Sequence, residues 1–291
     1  MQLWYEILLG SNNIDAKCWQ ELFCVLKRYL GWRAEWHIHL CLEQGTIHYY
    51  INLPKALPSG LGLKEFFSGI FGQKNHLTLD QLRDKFAFDI KLPTKVNDST
   101  TGEVTYSAMP NAESYIKNGN IAQYERDKGW ILKKKDTKSI DQIIQIWKTI
   151  NYTTTERVYD SENVVMSDPI YNSTNVYAST NCGNCKNILF CDGTYDSEFA
   201  IACQRSTGIN FCLRVDDSNS CTNSYNIICC SKISNSFFIQ DASNLNECMF
   251  CSHISDREYC IANMQYEREE YLFIKQQVIK WILGSHAKIK S

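Results

Sequence analysis

Apolar residues recur at a nearly constant spacing through the C-terminal half of the chain. Most repeat units also carry an apolar or small residue two positions further on, and Asn, Ser, Asp and Gly fill the intervals. Alternating apolar positions bounded by turn residues are typical of a strand followed by a turn. The apolar positions, separated by steps of 11 to 14 residues, are Val164, Val176, Ile188, Phe199, Phe211, Tyr225, Phe237, Met249 and Ile261.

A strand–turn unit of this length cannot bury its own inner face, so consecutive units must stack on one another. We expect a β-solenoid over residues 156–265, built from ~12-residue units with two units per coil. At ~4.8 Å between stacked strands, four to five coils would form a rod about 20 Å long. The pattern resembles that of right-handed parallel β-helix proteins over residues 160–265. The resemblance implies stacked parallel strands around a ladder of inward side chains.

A helix is predicted after the repeat, in residues 266–284. Acidic residues near Glu267 suit a helix N-terminus, Lys280 suits the last turn, and Gly284 follows the end. Because the open end of a solenoid exposes unpaired strand edges, we expect this helix to cap the last coil.

The N-terminal part of the chain predicts a small α+β module over residues 1–92. An apolar run and a helical pattern are followed by two alternating runs around Gln44-Gly45, which predicts a β-hairpin. With this two-residue turn, Leu42 pairs with Ile47, and Cys41 pairs with His48. The order strand, helix, hairpin suggests a ferredoxin-like module or a relative of it. Residues 93–155 predict a loop-rich linker that contains one joining helix.

Composition and charge exclude several classes of protein. Thirty basic residues against 32 acidic ones leave a net charge of −2, so no global field favours nucleic acid or an anionic membrane. The basic run at residues 133–138 predicts a solvated loop or helix start. No apolar stretch approaches the ~20 residues of a spanning helix, and the first residues do not resemble a signal peptide. We therefore expect a cytoplasmic protein without a membrane partner, with a virion or another assembly as an alternative setting.

The cysteines form two candidate zinc sites in the repeat, because thiolates and imidazoles at short spacings are typical zinc ligands. Cys182 and Cys185 have the spacing of half a zinc site. With two units per coil, the second candidate falls near one inward column and comprises Cys203, Cys229, Cys251 and His253. The alternative is that cysteine packs as a small apolar residue in the ladder. This alternative is favoured, so we expect no cofactor. If a metal does bind, the spacing of the cysteines and the histidine suits zinc.

The predicted hairpin supplies a third candidate metal site. His39, Cys41 and His48 lie on one face of it, and imidazole and thiol groups bind transition metals. The favoured alternative is a solvent-facing or interface surface.

These features favour a non-catalytic structural or scaffolding protein whose rigid repeat surface binds other proteins, in a multi-subunit assembly. Two alternatives stay open: a zinc-stabilised binding protein and a carbohydrate-active β-helix enzyme. For the enzyme, carboxylates such as Asp216 and Asp217 would have to lie close together on an outer face.

Overall fold

The computed structural model describes residues 38–43, 46–51, 63–73 and 77–284. The chain divides into two compact units, Met1–Ala56 and Leu57–Ser291, whereas the sequence predicted a boundary at residue 92. In the first unit, β1 (Ile38–Glu43) and β2 (Thr46–Ile51) are antiparallel. Leu42 pairs with Ile47 and Cys41 with His48, so the predicted hairpin register is confirmed. The strand and the helix predicted before this hairpin lie outside the described residues.

The second unit begins with short helices and strands, and the segment predicted as a loop-rich linker contains several of them. Thr78 forms a capping box with Gln81 at the start of the second helix. The elements are α1 (Leu63–Phe71), α2 (Leu79–Phe86), β3 (Thr94–Asn97), β4 (Val104–Ser107), β5 (Tyr115–Lys117), a 3₁₀-helix (Asn118–Asn120), α3 (Ile121–Asp127), α4 (Ile140–Lys148) and β6 (Thr153–Thr155).

A β-solenoid follows, with strands of two to seven residues, and a C-terminal helix follows the solenoid. The elements are β7 (Val158–Tyr159), β8 (Glu162–Val165), β9 (Ile170–Tyr171), β10 (Thr174–Tyr177), β11 (Cys182–Gly183), β12 (Lys186–Leu189), β13 (Asp192–Tyr195), β14 (Glu198–Ile201), β15 (Gln204–Thr207), β16 (Asn210–Asp216), β17 (Thr222–Ile228), β18 (Ser231–Ser234), β19 (Phe237–Gln240), β20 (Ser243–Asn246), β21 (Met249–Ser252), β22 (Ser255–Glu258), β23 (Cys260–Ile261), β24 (Met264–Gln265) and α5 (Arg268–Leu283).

Each coil of the solenoid contains one 12-residue unit. β10 pairs in parallel with β8 below it and β12 above it, and every paired residue is 12 positions from its partner. The prediction of two units per coil is therefore wrong, because a single unit closes the circuit. There are about nine coils. At a strand spacing of ~4.8 Å, the stack is about 40 Å long, roughly twice the predicted length.

The coil closes in 12 residues because every third residue turns the chain. From Asn172 to Ala262, each third residue has a φ between 46° and 62°, in the left-handed region. The repeating triplet is an inward residue, an outward residue and a left-handed corner, and four triplets form the four sides of a coil. In one coil, the first to fourth sides begin at Cys182, Cys185, Ile188 and Cys191.

The true period is 12 residues throughout, and the irregular steps read from the sequence came from a change of column. Val176 and Ile188 are inward residues of the third side, and Ala200 is the next member of their column. Phe199 occupies a corner, and Tyr225 occupies an outward position. The apolar series therefore joined three different columns.

The helices cover the third side of the solenoid. Outward residues of this side, such as Leu213, Tyr225 and Phe237, form one apolar cluster with α1, α2 and α5. Phe71 of α1 contacts both aromatic rings, with centroids 6.0 Å from Tyr225 and 5.8 Å from Phe237. Hence α1 and α2 belong to the solenoid unit, although the sequence placed them in the N-terminal module.

The C-terminal helix lies along the side of the solenoid, so its predicted position over the last coil is wrong. Lys275 of α5 contacts the Asn235 carbonyl and the Glu247 carboxylate, at 2.9 and 2.6 Å. These partners lie in successive coils. The end of the ladder is instead closed by β24, which turns back and pairs antiparallel with β23.

Residues 104–108 contact the start of the solenoid. The Asp168 carboxylate of the first coil is fully buried and accepts a hydrogen bond from the backbone N–H of Ala108, at 3.0 Å. Arg157 donates to the same carboxylate from its backbone and its guanidinium. The Thr105 and Thr155 hydroxyls lie 2.7 Å apart. Hydrogen bonds to residues 105–108 thus hold this end of the stack and the residues that lead into it.

Candidate interaction surface

The inward positions contain nearly all the cysteines of the solenoid. The interior cluster consists of inward residues from all four sides. Cys229 is exposed, and the other cysteines of the solenoid are buried at inward positions: Cys182, Cys185, Cys191, Cys203, Cys212, Cys221, Cys230, Cys248, Cys251 and Cys260. All of these described cysteines are free thiols. A coil of 12 residues encloses little space, so small residues fit its interior.

Serine and cysteine make the same contacts at the inward positions. The Ser179 hydroxyl donates to the Tyr177 carbonyl, at 2.9 Å, and accepts from the N–H of Cys191 in the next coil, at 3.1 Å. The Cys203 thiol donates to the Ile201 carbonyl, at 3.3 Å, and accepts from the N–H of Val215, at 3.4 Å. The thiols therefore have a structural role in the backbone ladder.

Burial keeps the Cys182 and Cys185 thiols protonated. These residues are the inward positions of two adjacent sides, which explains their three-residue spacing. The thiols donate to the carbonyls of Thr180 and Gly183, at 3.0 and 3.2 Å. Burial raises the pKa of Cys182, and it raises the pKa of Cys185 to about 12. Zinc binds the thiolate, so a metal at this pair would have to displace these hydrogen bonds and protons.

The four residues of the second zinc candidate do not share one inward column. Cys203 and Cys251 are buried inward residues of the fourth side, in coils separated by four steps of 12. Cys229 and His253 are exposed at the corner of that side. The predicted common column is therefore wrong, because corner residues point out of the coil.

Cys229 and His253 instead lie in an exposed corner row with two aspartates. The Cys229 thiol is 4.0 Å from the Asp217 carboxylate, and the His253 imidazole is 3.7 Å from the Asp241 carboxylate. Local desolvation and the negative charges of Asp217 and Asp241 raise the pKa of Cys229. This thiol is accessible, but it is not activated as a nucleophile.

Cys251 is the described thiol with the lowest pKa among the candidate ligands. A hydrogen bond with Cys248 lowers the pKa of Cys251 to about 7, against the opposing effect of burial. Its side chain is 1% exposed. A buried thiol of this kind lacks access to reagents and substrates, whatever its pKa.

No group of three or more His, Cys, Asp or Glu residues is arranged to hold a metal ion within the described part of the chain. In the hairpin, the backbone register places Cys41 opposite His48 and His39 opposite Tyr50. The side chains of this hairpin lie outside the described structure. Zinc binding at any of the three candidate sites stays a prediction.

The first side of the solenoid presents a strip of tyrosines to solvent. The strip comprises Tyr159, Tyr171 and Tyr195, which are 42%, 42% and 45% exposed. The rings of Tyr159 and Tyr171 stack, with centroids 5.3 Å apart and planes inclined by 14°. Gly183 occupies the intervening coil, where an added Cβ would lie 3.2 Å from the Tyr195 ring. This glycine therefore gives the Tyr195 ring its space in the tyrosine strip.

A polar ladder runs beside the tyrosine strip at the corner of the first side. The Asn172 amide donates to the Asn184 side-chain oxygen, at 3.3 Å, and the Asn184 amide donates to the Asp196 carboxylate, at 2.9 Å. A shallow groove separates this ladder from outward residues of the second side, which include Lys186 and Glu198. Aromatic rings bordered by satisfied polar groups are a common composition of protein interfaces.

The tyrosine strip was not predicted from the sequence, although the sequence contains its signal. Tyr159 and Tyr171 are separated by 12 residues, and Tyr195 follows after 24 more. The apolar period was interpreted as a row of inward residues, whereas the tyrosines form a second row with the same period at outward positions. Carboxylates considered for sugar hydrolysis are partly engaged elsewhere, since Asp216 pairs with Arg205 and accepts from Gln204, at 3.0 Å.

Comparison with known proteins adds no relative. No protein-family model matches the chain, and no curated protein sequence matches it. Within the described residues, no helix is long and apolar enough to cross a membrane.

Proposed function

We propose that this chain is a non-catalytic scaffold that binds other proteins through the open sides of its solenoid, within a larger assembly. The tyrosine strip is the observation that carries this proposal. Three rings in fixed register, held by a hydrogen-bonded ladder, offer apolar area that loses little conformational entropy on binding. Tyrosine is also enriched among the residues that dominate binding at protein interfaces.

The architecture of the coil supports a scaffold because it separates the interior from the surface. Inward residues and backbone hydrogen bonds form the stack, whereas an outward residue on an uncovered side contacts mainly solvent. Only the third side is covered by helices in the described structure. The free thiols of the interior are consistent with a reducing compartment such as the cytoplasm, which is part of the proposal.

The test compares a strip variant with a matched surface variant. In the strip variant, Tyr159, Tyr171 and Tyr195 are each replaced by Ser. In the control, three exposed outward residues that lie outside the strip and the groove beside it, Glu162, Gln240 and Glu258, are replaced by Ser. Proteins crosslinked to the tagged chain in its native cells are identified first, and each is then purified for a binary titration.

The scaffold proposal expects at least one partner that binds the purified chain and whose affinity falls at least tenfold in the strip variant. The control variant should bind as the native chain does. A Gly183→Ala variant should weaken binding as well, because the added Cβ displaces the Tyr195 ring. The backbone of Gly183 is not left-handed, so alanine adds no backbone strain at this position. Equal binding by the strip variant and the control would refute the role of the strip. A substrate turned over by the purified chain would refute the non-catalytic proposal.

A further inference from the structure

Residues 131–149 form an exposed segment that contributes almost nothing to the core. Every residue in it is exposed except Ile146, which is partly buried. The segment is anchored at both ends. Trp130 packs against Tyr124 with ring centroids 4.5 Å apart and lies near Tyr152, and Lys148 pairs with Glu113, at 3.0 Å.

α4, within this exposed segment, carries an apolar stripe that no described element covers. The stripe begins at Ile140 and continues three, four and seven positions later, at Ile143, Ile144 and Trp147, so these side chains share one face of the helix. Their exposures are 69%, 50%, 39% and 51%. Within the described structure none of them belongs to a hydrophobic cluster. Just before the helix, Ile131 adds another apolar side chain that is 95% exposed.

The exposed segment is basic, although the whole chain is slightly acidic. It contains five lysines against two aspartates, which leaves a charge of +3 in a chain whose net charge is −2. Lys148 pairs with Glu113, whereas no ion pair holds the lysines at 133, 134, 135 and 138 within the described residues. The basic run at residues 133–138, which the sequence predicted to be a solvated loop or helix start, accounts for this local excess.

We infer that the exposed segment binds the surface of an anionic phospholipid bilayer. An amphipathic helix can lie in the plane of the interface with its apolar side chains among the acyl chains, and tryptophan favours this depth. Lysines beside the helix would contact the anionic headgroups, where each contributes about fivefold to affinity at low ionic strength. Stable binding to a membrane takes two signals, and the exposed segment supplies both, the apolar stripe and the lysines.

The test uses sedimentation of the full chain with two kinds of vesicle, phosphatidylcholine alone and phosphatidylcholine mixed with phosphatidylserine. Binding is expected with the mixed vesicles only, and it should weaken as salt is raised. The stripe variant combines Ile143→Ser with Trp147→Ser, and the lysine variant replaces Lys133, Lys134 and Lys135 by Gln. Each should bind at least tenfold more weakly.

Matched controls separate a specific surface from general charge or hydrophobicity. Phe273→Ser removes an exposed aromatic residue of α5, which is 68% exposed. Replacement of Lys91, Lys95 and Lys232 by Gln removes three exposed lysines elsewhere. Both controls should bind as the native chain does. All variants should keep the native Tm, because the substituted side chains are largely exposed.

Three results would overturn the inference: no binding to the mixed vesicles, equal losses in the controls, or equal binding to both kinds of vesicle. Light scattering provides a further arm. If the chain forms a dimer that the stripe variant abolishes, and mixed vesicles are not bound, the stripe is a contact between two copies of the chain. The vesicle assay contains no protein partner, so its failure would leave the scaffold proposal standing.

Discussion

Replacement of Cys203 tests whether the inward thiols act as hydrogen-bonding spacers. The Cys203 thiol accepts from the N–H of Val215 and donates to the Ile201 carbonyl. Alanine leaves the buried N–H of Val215 without its partner, which costs about 1–3 kcal/mol. It also removes buried volume comparable to a methylene group, worth about 1 kcal/mol. The Cys203→Ala variant should therefore be about 2–4 kcal/mol less stable than the native chain.

Serine should restore most of this loss. Its hydroxyl can make the contacts that Ser179 makes two coils earlier in the same column, where it accepts from the N–H of Cys191. The Cys203→Ser variant should lose about 1 kcal/mol or less, since only apolar burial is reduced. For a unit of this size, the Tm should fall by about 5–15 °C with alanine and by less than about 4 °C with serine.

The measurement is thermal and urea unfolding followed by circular dichroism, with the metal content of each protein determined in parallel. Cys229 gives the control, because it is exposed and its replacement by Ser or Ala should change stability by less than about 0.5 kcal/mol. If serine at position 203 is as destabilising as alanine, the spacer role is refuted. If both variants also lose bound zinc, the thiol is a metal ligand.

Two further predictions concern titratable groups. In native protein treated with iodoacetamide, peptide mass spectrometry should find Cys229 modified before any other cysteine of the solenoid. The reason is that burial protects Cys251 and raises the pKa of Cys185 to about 12. Equally fast labelling of Cys251 would contradict this order. Asp98 is 1% exposed, and although its burial acts to raise its pKa, hydrogen bonds from Thr100, Lys117 and Asn120 outweigh this and lower it. A lowered folded-state pKa stabilises the protein above the unfolded value of about 3.9, and the contribution is lost as the pH falls through that value towards the folded-state pKa. Asp98→Asn should thus lower the urea midpoint at neutral pH and flatten its decline in acid, and an unchanged decline would refute this assignment.

The sequence predicted the existence of the solenoid but not the construction of its coil. Hydropathy marks inward positions when they are apolar, as with Val176 and Ile188. Here many inward positions are Ser, Thr or Cys, because the narrow interior accepts small side chains that satisfy the backbone. Phenylalanines at the corners, such as Phe199, added apolar residues outside the inward columns. The apolar pattern therefore predicted a period close to the correct one but did not identify which residues point inward.

The corner residues contained the missing signal. Asn and Asp tolerate the left-handed conformation better than other residues with a side chain. Asn172, Asn175, Asn181, Asn184 and Asn187 follow one another at multiples of three, and each has a left-handed φ. A search for asparagine at this spacing would have found the triplet, and with it the one-unit coil. The triplet also accounts for the zinc-like spacing, because inward positions of adjacent sides are always three residues apart.

The candidate surfaces depended on tertiary structure to different degrees. The apolar stripe of α4 can be identified from the sequence alone. Such a stripe normally predicts a buried helix face. Only the described fold shows that no described element covers it and that the stripe is exposed. The helix α5 was predicted correctly from the sequence, but its predicted position over the last coil was wrong. Lys275 reaches the Asn235 carbonyl 40 positions earlier, and such a contact depends on the direction in which the chain leaves the last coil.

The triplet construction also determines where functional variation can occur. Stability of the stack rests on the inward residue and the corner of each triplet, so an outward residue on an uncovered side can change at little cost. A row of three tyrosines at such positions is therefore not required by the fold. The same argument applies to the exposed segment. Its apolar stripe belongs to no hydrophobic cluster, and its lysines at 133, 134, 135 and 138 form no ion pair within the described residues. Residues that the fold does not need, in arrangements that expose apolar area, are best explained by contacts with another molecule.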